Sequence, residues 1–257
     1  MFLSEGLAVA AAVCIAASGM LIAELRGRVD VLRLVRWQML AAFAMTGATS
    51  LLVGGWRSLE GWQVGLLALS GVAGIVIATT TYFAAIYAAG PRVTALLFSL
   101  GAPFALLFGY LAFGETIDLR QGLGVVLVLA GIVLAIGLPR RFGGAGSGMP
   151  AVAPSRTFLF GVALGVVTAI GQAVGSVLAR PAMAAGVEPV TAMAVRSGVG
   201  AAFFLMLALV PSATINPPYR FRFADLGLGI GSAFFGTGLG MSLLMAALAR
   251  GDVGIVS

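Results

Sequence analysis

Apolar residues in this chain come in long unbroken runs, not in alternation with polar ones. Eight runs stand out, near residues 6–23, 35–53, 62–88, 92–113, 119–138, 158–179, 190–210 and 225–248. About 20 apolar residues suffice for a helix to cross the hydrocarbon core of a bilayer. Strands are excluded because the runs exceed strand length and show no period of two. The pattern therefore predicts an all-α polytopic membrane protein with eight transmembrane helices. Turn chemistry fills the breaks, at Arg26-Gly27-Arg28, Gly54-Gly55, Gly90-Pro91, Asn216-Pro217-Pro218 and Arg250-Gly251-Asp252.

The longest break, Pro139 to Ser155, carries Gly143-Gly144 and Gly146-Ser147-Gly148 and reads as a linker over 139–157. It divides the chain into units of 1–138 and 158–257, and the units repeat. A shift of 160 positions places Val35-Arg36 on Val195-Arg196, Ala41-Ala42-Phe43 on Ala201-Ala202-Phe203, and Gly71 on Gly231. It also places Gly90 to Leu97, the start of helix four, on Arg250 to Ser257, so a ninth helix is expected to begin there. On this register eight helices are present of an expected ten, and the second unit lacks its last two. A unit of five crossings repeated once is inverted, the construction common in secondary transporters.

The chain has 257 residues, 60% hydrophobic and only 9% charged, where soluble domains run at about a quarter charged. All fifteen basic residues are arginine, with no lysine and no histidine. No basic block interleaved with aromatics suggests nucleic acid; arginines in loops suit anionic lipid headgroups. One cysteine, Cys14, inside an apolar run offers neither a disulfide nor a metal-ligand set. No nucleotide loop is present, since Gly236-Thr237-Gly238-Leu239-Gly240 follows no strand, and no cofactor is expected. Without His, Lys or a carboxylate near the middle of a span, an intramembrane enzyme has no acid-base pair or metal site.

Tyr87 to Gly137 holds a small-residue turn before helix four, Pro103 within it, Gly114-Glu115 at its end, Gln121-Gly122 opening helix five and Ala130-Gly131-Ile132-Val133 closing it. Together with Arg36 and Arg196 near the starts of helices two and seven, this stretch resembles the drug/metabolite transporter superfamily, EamA type. The resemblance implies ten helices in two units, export of small metabolites, and a central pathway between helices one, three, four, six and eight.

Polar side chains inside spanning helices require a reason. Helix three offers Thr79, Thr80, Thr81 and Tyr82; helix six offers Thr168, Gln172 and Ser176 on one face; helix eight offers Ser232, Thr237 and Ser242; helix four offers Thr94 and Ser99. Hydroxyls often bond back to their own helix. Gln172 stands out because a primary amide has more valences than its helix satisfies. The expected pathway residues are Gln172, Thr79, Thr80, Tyr82, Thr168, Ser176, Thr237 and Ser99. Arg36 and Arg196 either snorkel to headgroups or capture an anion at the pathway mouth. Pro103 is expected to kink helix four as a hinge, and Glu115 to meet Arg120. Glycine pairs four residues apart, at 161/165, 171/175, 227/231 and 236/240, are expected to bring helices close.

The expected partners are a small-molecule solute and membrane lipid, with a homodimer or partner subunit if eight helices are the whole. Flipping of lipid-linked substrates and a non-transporting assembly subunit are the alternatives to export. Lysine-free, alanine- and glycine-rich composition suggests a GC-rich bacterium and hence the inner membrane. Arginine density after helices one, three, five and seven favours an outside N-terminus, whereas the resemblance implies an inside one.

Overall fold

The computed structural model describes residues 2–114, 118–137, 156–211, 217–220 and 222–249. Among them the chain forms eight helical rods and no strand. The rods are α1 (Phe2–Glu24), α2 (Val31–Val53), α3 (Gly61–Ala89), α4 (Pro91–Phe113), α5 (Leu119–Gly137), α6 (Arg156–Ala184), α7 (Pro189–Ala208) and α8 (Phe223–Leu248). Six of them (α1, α3, α4, α6, α7 and α8) are long and apolar enough to cross a membrane. Residues 139–155 of the expected linker, Glu115 and the expected ninth helix at 250–257 lie outside the described residues, as does the Arg120 side chain.

Local chemistry sets the rod ends. Asp30 caps α2 by accepting from Leu32 N at 3.0 Å, which starts the helix four residues before the expected position. Glu188 caps α7, accepting from Val190 N and Thr191 N, with Pro189 at the first helical position. Gly54 ends α2 at φ 77°, a left-handed conformation that a side chain would strain. α6 runs on through Pro181 to Ala184, past the expected end near 179.

Three rods are irregular. α4 breaks at Ser99-Leu100, between helical segments Pro91–Phe98 and Gly101–Phe113. Pro103 has no N–H for the Ser99 carbonyl one turn earlier, and its ring crowds that carbonyl, so the break falls there. α3 and α8 each contain a π-helical stretch, Val72–Ile77 and Phe234–Gly240. The shift of 160 carries the first onto residues 232–237, overlapping the second, so both units widen at the same depth.

The packing follows the repeat. α2 lies along α7, α3 along α6, and α1 along α8. Exchanging the units turns the α3–α6 contact into the α8–α1 contact and leaves α2–α7 paired with itself, as a twofold relation between units requires. Two hydroxyl pairs join α2 to α7, Ser50 with Thr191 at 2.5 Å and Thr46 with Ser197 at 3.1 Å. The outward faces carry exposed Val9, Leu52, Leu111, Leu127, Phe160 and Met206, the apolar surface that lipid chains cover.

The glycine pairs of α6 let α3 and α4 approach. A Cβ on Gly175 would stand 2.8 Å from Gly74 Cα, on Gly171 3.0 Å from Ala73 O, and on Gly161 2.8 Å from Ala89 N. Gly227 departs from the expectation: nothing lies within 4 Å of its Cβ position, because that face of α8 meets no neighbouring rod.

Candidate functional site

A cavity of about 440 Å³, open mouth included, lies between the units. Its wall takes Ile15, Ser18 and Ile22 from α1, Gln38 from α2, Gly74, Thr79, Tyr82 and Phe83 from α3, Phe98 from α4, Thr168 and Gln172 from α6, and Thr237 and Met241 from α8. A second cavity reaches from Ala8 to Ser176 and shares Ile15, Phe98 and Gln172 with the first. The α1 wall thus runs from Ala8 to Ile22, about 21 Å at 1.5 Å per residue, against a hydrocarbon core of about 30 Å.

Both π-helical stretches border this space, through Gly74 in α3 and Gly236 and Thr237 in α8. A π-turn shifts the hydrogen-bond register and turns backbone and side chains out of the regular helix, an arrangement frequent at functional sites. Gly236 is needed for closeness, since a Cβ there would stand 2.5 Å from Ser18 Oγ.

The expected pathway residues separate into two groups. Thr79, Tyr82, Thr168, Gln172 and Thr237 line the first cavity, and Ser176 the second. Thr80 and Ser99 belong to neither wall; each donates to its own helix, Thr80 to Val76 O at 2.6 Å and Ser99 to Leu96 O at 2.6 Å. Thr168 likewise donates to Leu164 O and meets Thr81 across the α3–α6 contact at 2.8 Å. Gln172 donates to the Met241 thioether at 3.8 Å, a weak acceptor that leaves most of the amide's valences to the cavity. Tyr82 packs edge-on against Phe98, ring centroids 5.5 Å apart.

Ser18 and Gln38 were not among the expected residues. Ser18 donates to Ser232 O at 2.8 Å, and Gln38 reaches Ser232 Oγ at 3.3 Å, so the two tie α1 and α2 to α8 at the cavity wall. The signal for Gln38 is the one that marked Gln172, a primary amide within a span. Among the described residues no three His, Cys, Asp or Glu gather as a metal site would require.

Arg196 corrects the sequence reading most sharply. Expected either to snorkel to headgroups or to capture an anion at the pathway mouth, it lies two turns into α7 and is completely buried, away from any headgroup. Its Nη1 donates to Met245 Sδ at 3.1 Å and approaches Met193 Sδ at 3.8 Å; Nε and Nη2 have no hydrogen-bond partner. The physical reason is glycine. Gly74 of α3 carries no side chain and leaves room for the guanidinium, while Gly71, one turn earlier, lets α3 close on the Arg196 backbone. A buried cation without a counter-ion costs several kcal/mol, because thioethers replace little of its hydration. Arg36, its repeat equivalent, is half-buried near the start of α2.

At the α1 C-terminal end the cavity stops at Ile22 and Phe83, with Leu25, Val29 and Ile86 buried beyond. A polar tie overlies them. Tyr87 Oη donates to Val29 O at 2.8 Å, Arg33 to Pro217 O at 2.6 Å, and Tyr219 Oη to Asp225 at 2.8 Å, with Arg28 3.8 Å from the same carboxylate. Burial, then the hydrogen bond and the charge of Asp225, raise the Tyr219 phenol above its ordinary pKa. Asp225→Ala removes the anchor of both Tyr219 and Arg28. In a Cys14→Ser background, a cysteine at Ile22 is expected to react several-fold faster with a membrane-impermeant maleimide once Asp225→Ala is added. Equal rates would show that the tie does not hold this end shut.

One solved protein structure superposes with a TM-score of 0.70 at 19% identity, covering 98% of this chain and 81% of that one. At that identity the likeness speaks for the fold. No curated protein matches the chain significantly. The profile of the EamA-like transporter family matches residues 3–137 and again 159–257. The two matched stretches hold every rod that walls the cavity, and the chain belongs to the EamA-like transporter family, as a multi-pass membrane transporter of the drug/metabolite type.

Proposed function

We propose that the chain exports small metabolites, amino-acid-like or drug-like solutes, by alternating access between two inverted units, 1–138 and 158–257, joined by the linker 139–157. The observation that carries this reading is the cavity between the units, bordered by a π-helical stretch from each. Gln172, Thr79, Tyr82, Thr168, Ser176 and Thr237 are the solute contacts in this reading. Thr80 and Ser99 act through helix geometry, and the α4 break before Pro103 serves as a hinge. The proposed setting is a bacterial inner membrane. Lipid-linked substrate flipping is the second reading; the Ala12 side of the second cavity, where α1 is exposed, favours it by offering a lateral opening.

Counterflow into proteoliposomes, run with a panel of labelled amino acids, organic acids and neutral metabolites, tests the proposal. Accumulation of at least one solute above empty liposomes is expected. A monodisperse protein that moves none of them overturns the export reading.

The charge inventory gives a second expectation. Among the described residues, Asp225 is the buried carboxylate, and it is held by Arg28 and Tyr219 outside the cavity. Proton-for-cation exchange relies on an ionisable acid at the solute site. A pH gradient is therefore expected to drive no uptake of a cationic dye into proteoliposomes; robust uptake would contradict the absence of such an acid.

A further inference from the structure

We infer that Arg196 is the anion-recognising element of the central cavity, and that the solute it takes is a monocarboxylate with an apolar body. The inference rests on the transport reading of that cavity and adds the chemical class of its ligand.

Three observations converge. Arg196 is completely buried, with two nitrogens unpartnered and a third on a thioether. A charge buried in a spanning region is costly and is usually met by an opposite charge or a functional ligand. Second, the guanidinium adjoins the cavity wall: a Cβ on Gly74 would stand 2.5 Å from Nη2, and Gly74 itself lines the cavity. A wall residue without a side chain leaves an anion in the cavity the shortest approach to the charge. Third, Gly74 belongs to the π-helical stretch Val72–Ile77, a departure from the regular helix of a kind frequent at functional sites.

The same wall defines the rest of the ligand. Ile15, Ile22, Phe83, Phe98 and Met241 present an apolar surface, suited to a hydrocarbon body. Gln172 adds a neutral amide near the carboxylate end, since Met241 beside it and Met245 against Arg196 lie one turn apart on α8. A planar guanidinium matches a carboxylate through two parallel hydrogen bonds, which a thioether cannot supply. Arg36, at the repeat-equivalent position, is only half-buried and does not line the cavity, so the two units bury their arginines to different extents. The charge of Arg196 thus lies directly behind the Gly74 stretch of the wall, outside the lining itself.

The test compares 4-methylpentanoate with 4-methylpentanamide, which share an apolar body and differ in charge. Isothermal titration of the purified full chain in detergent is expected to give the acid about tenfold tighter binding than the amide, the scale of a charged hydrogen bond. Arg196→Gln is expected to abolish that preference while leaving amide binding in place. Both ligands are measured on monodisperse protein, and Arg196→Lys, which keeps the charge, is expected to retain a preference for the acid. A merely structural arginine would alter both ligands alike.

Equal binding of acid and amide by the parent protein overturns the anion assignment and leaves the cavity as a solute site. A preference for the acid that survives in Arg196→Gln also overturns it. Chloride that binds with the Arg196 dependence, while the carboxylate does not, replaces the solute with an inorganic ion and overturns the solute class. If neither organic probe binds, the cavity reading falls and this inference with it.

Discussion

Gly175→Val is expected to abolish most of the folded protein. A Cβ at Gly175 would stand 2.8 Å from Gly74 Cα and 3.0 Å from Gly74 N, both backbone atoms that no rotamer change can move. α3 and α6 would have to separate along their whole contact, and Ser70 Oγ would lose its 2.6 Å bond to Gly175 O. Overpacking in a close-packed interior costs about 1–3 kcal/mol and sometimes more. In a membrane, where no hydrophobic gain drives helix against helix, close approach is itself the source of association. Gly227→Val is the control, because its Cβ position is open. Fluorescence-detected size exclusion is expected to show loss of the monodisperse peak for Gly175→Val and an unchanged peak for Gly227→Val. Equal profiles would mean that the α3–α6 contact does not hold the bundle together.

The second large effect is expected from Thr237→Trp, which plugs the cavity. Thr237 is buried in the α8 π-helical stretch and faces the same space as Thr79, Tyr82 and Gln172. An indole adds a large flat body to a space of about 440 Å³ that includes its open mouth. Solute flux in proteoliposomes, measured on the monodisperse fraction, is expected to fall to background. Thr237→Ser, which keeps the hydroxyl and loses only a methyl, is expected to transport normally. Wild-type flux through Thr237→Trp would place the pathway elsewhere in the bundle.

Much of the scaffold is legible in the sequence. The expected helices at 62–88 and 92–113 differ from α3 and α4 by one residue at each end, except at Phe113, where they coincide. Runs of apolar residues and glycine turns are local signals, and a membrane forces each run to satisfy its own backbone as a helix. The break in α4 was anticipated through Pro103, since a missing N–H acts on the carbonyl one turn away. The matched registers of Gly71 with Gly231 and Arg36 with Arg196 announced two related units.

The site was legible only in part. Gln172 is legible because its amide demands partners wherever the helix is placed, and Gln38 makes the same demand. Thr79 and Thr80 are neighbours in one cluster, yet one lines the cavity and the other bonds to Val76 O. Helix rotation decides between them, and rotation depends on which rods lie alongside.

By itself the sequence determined the membrane class, the helices, the turns between them and the repeat, because hydropathy, proline and glycine act within a few residues. Tertiary structure alone decided the fate of the two matched arginines. Arg36 and Arg196 sit in like sequence surroundings, but at Arg196 two glycines of α3 come close, Gly71 against its backbone and Gly74 against its guanidinium. The room at Arg196 is made by residues more than a hundred positions away. Only the packed bundle brings them to one place and turns a surface-type residue into a buried charge beside the cavity.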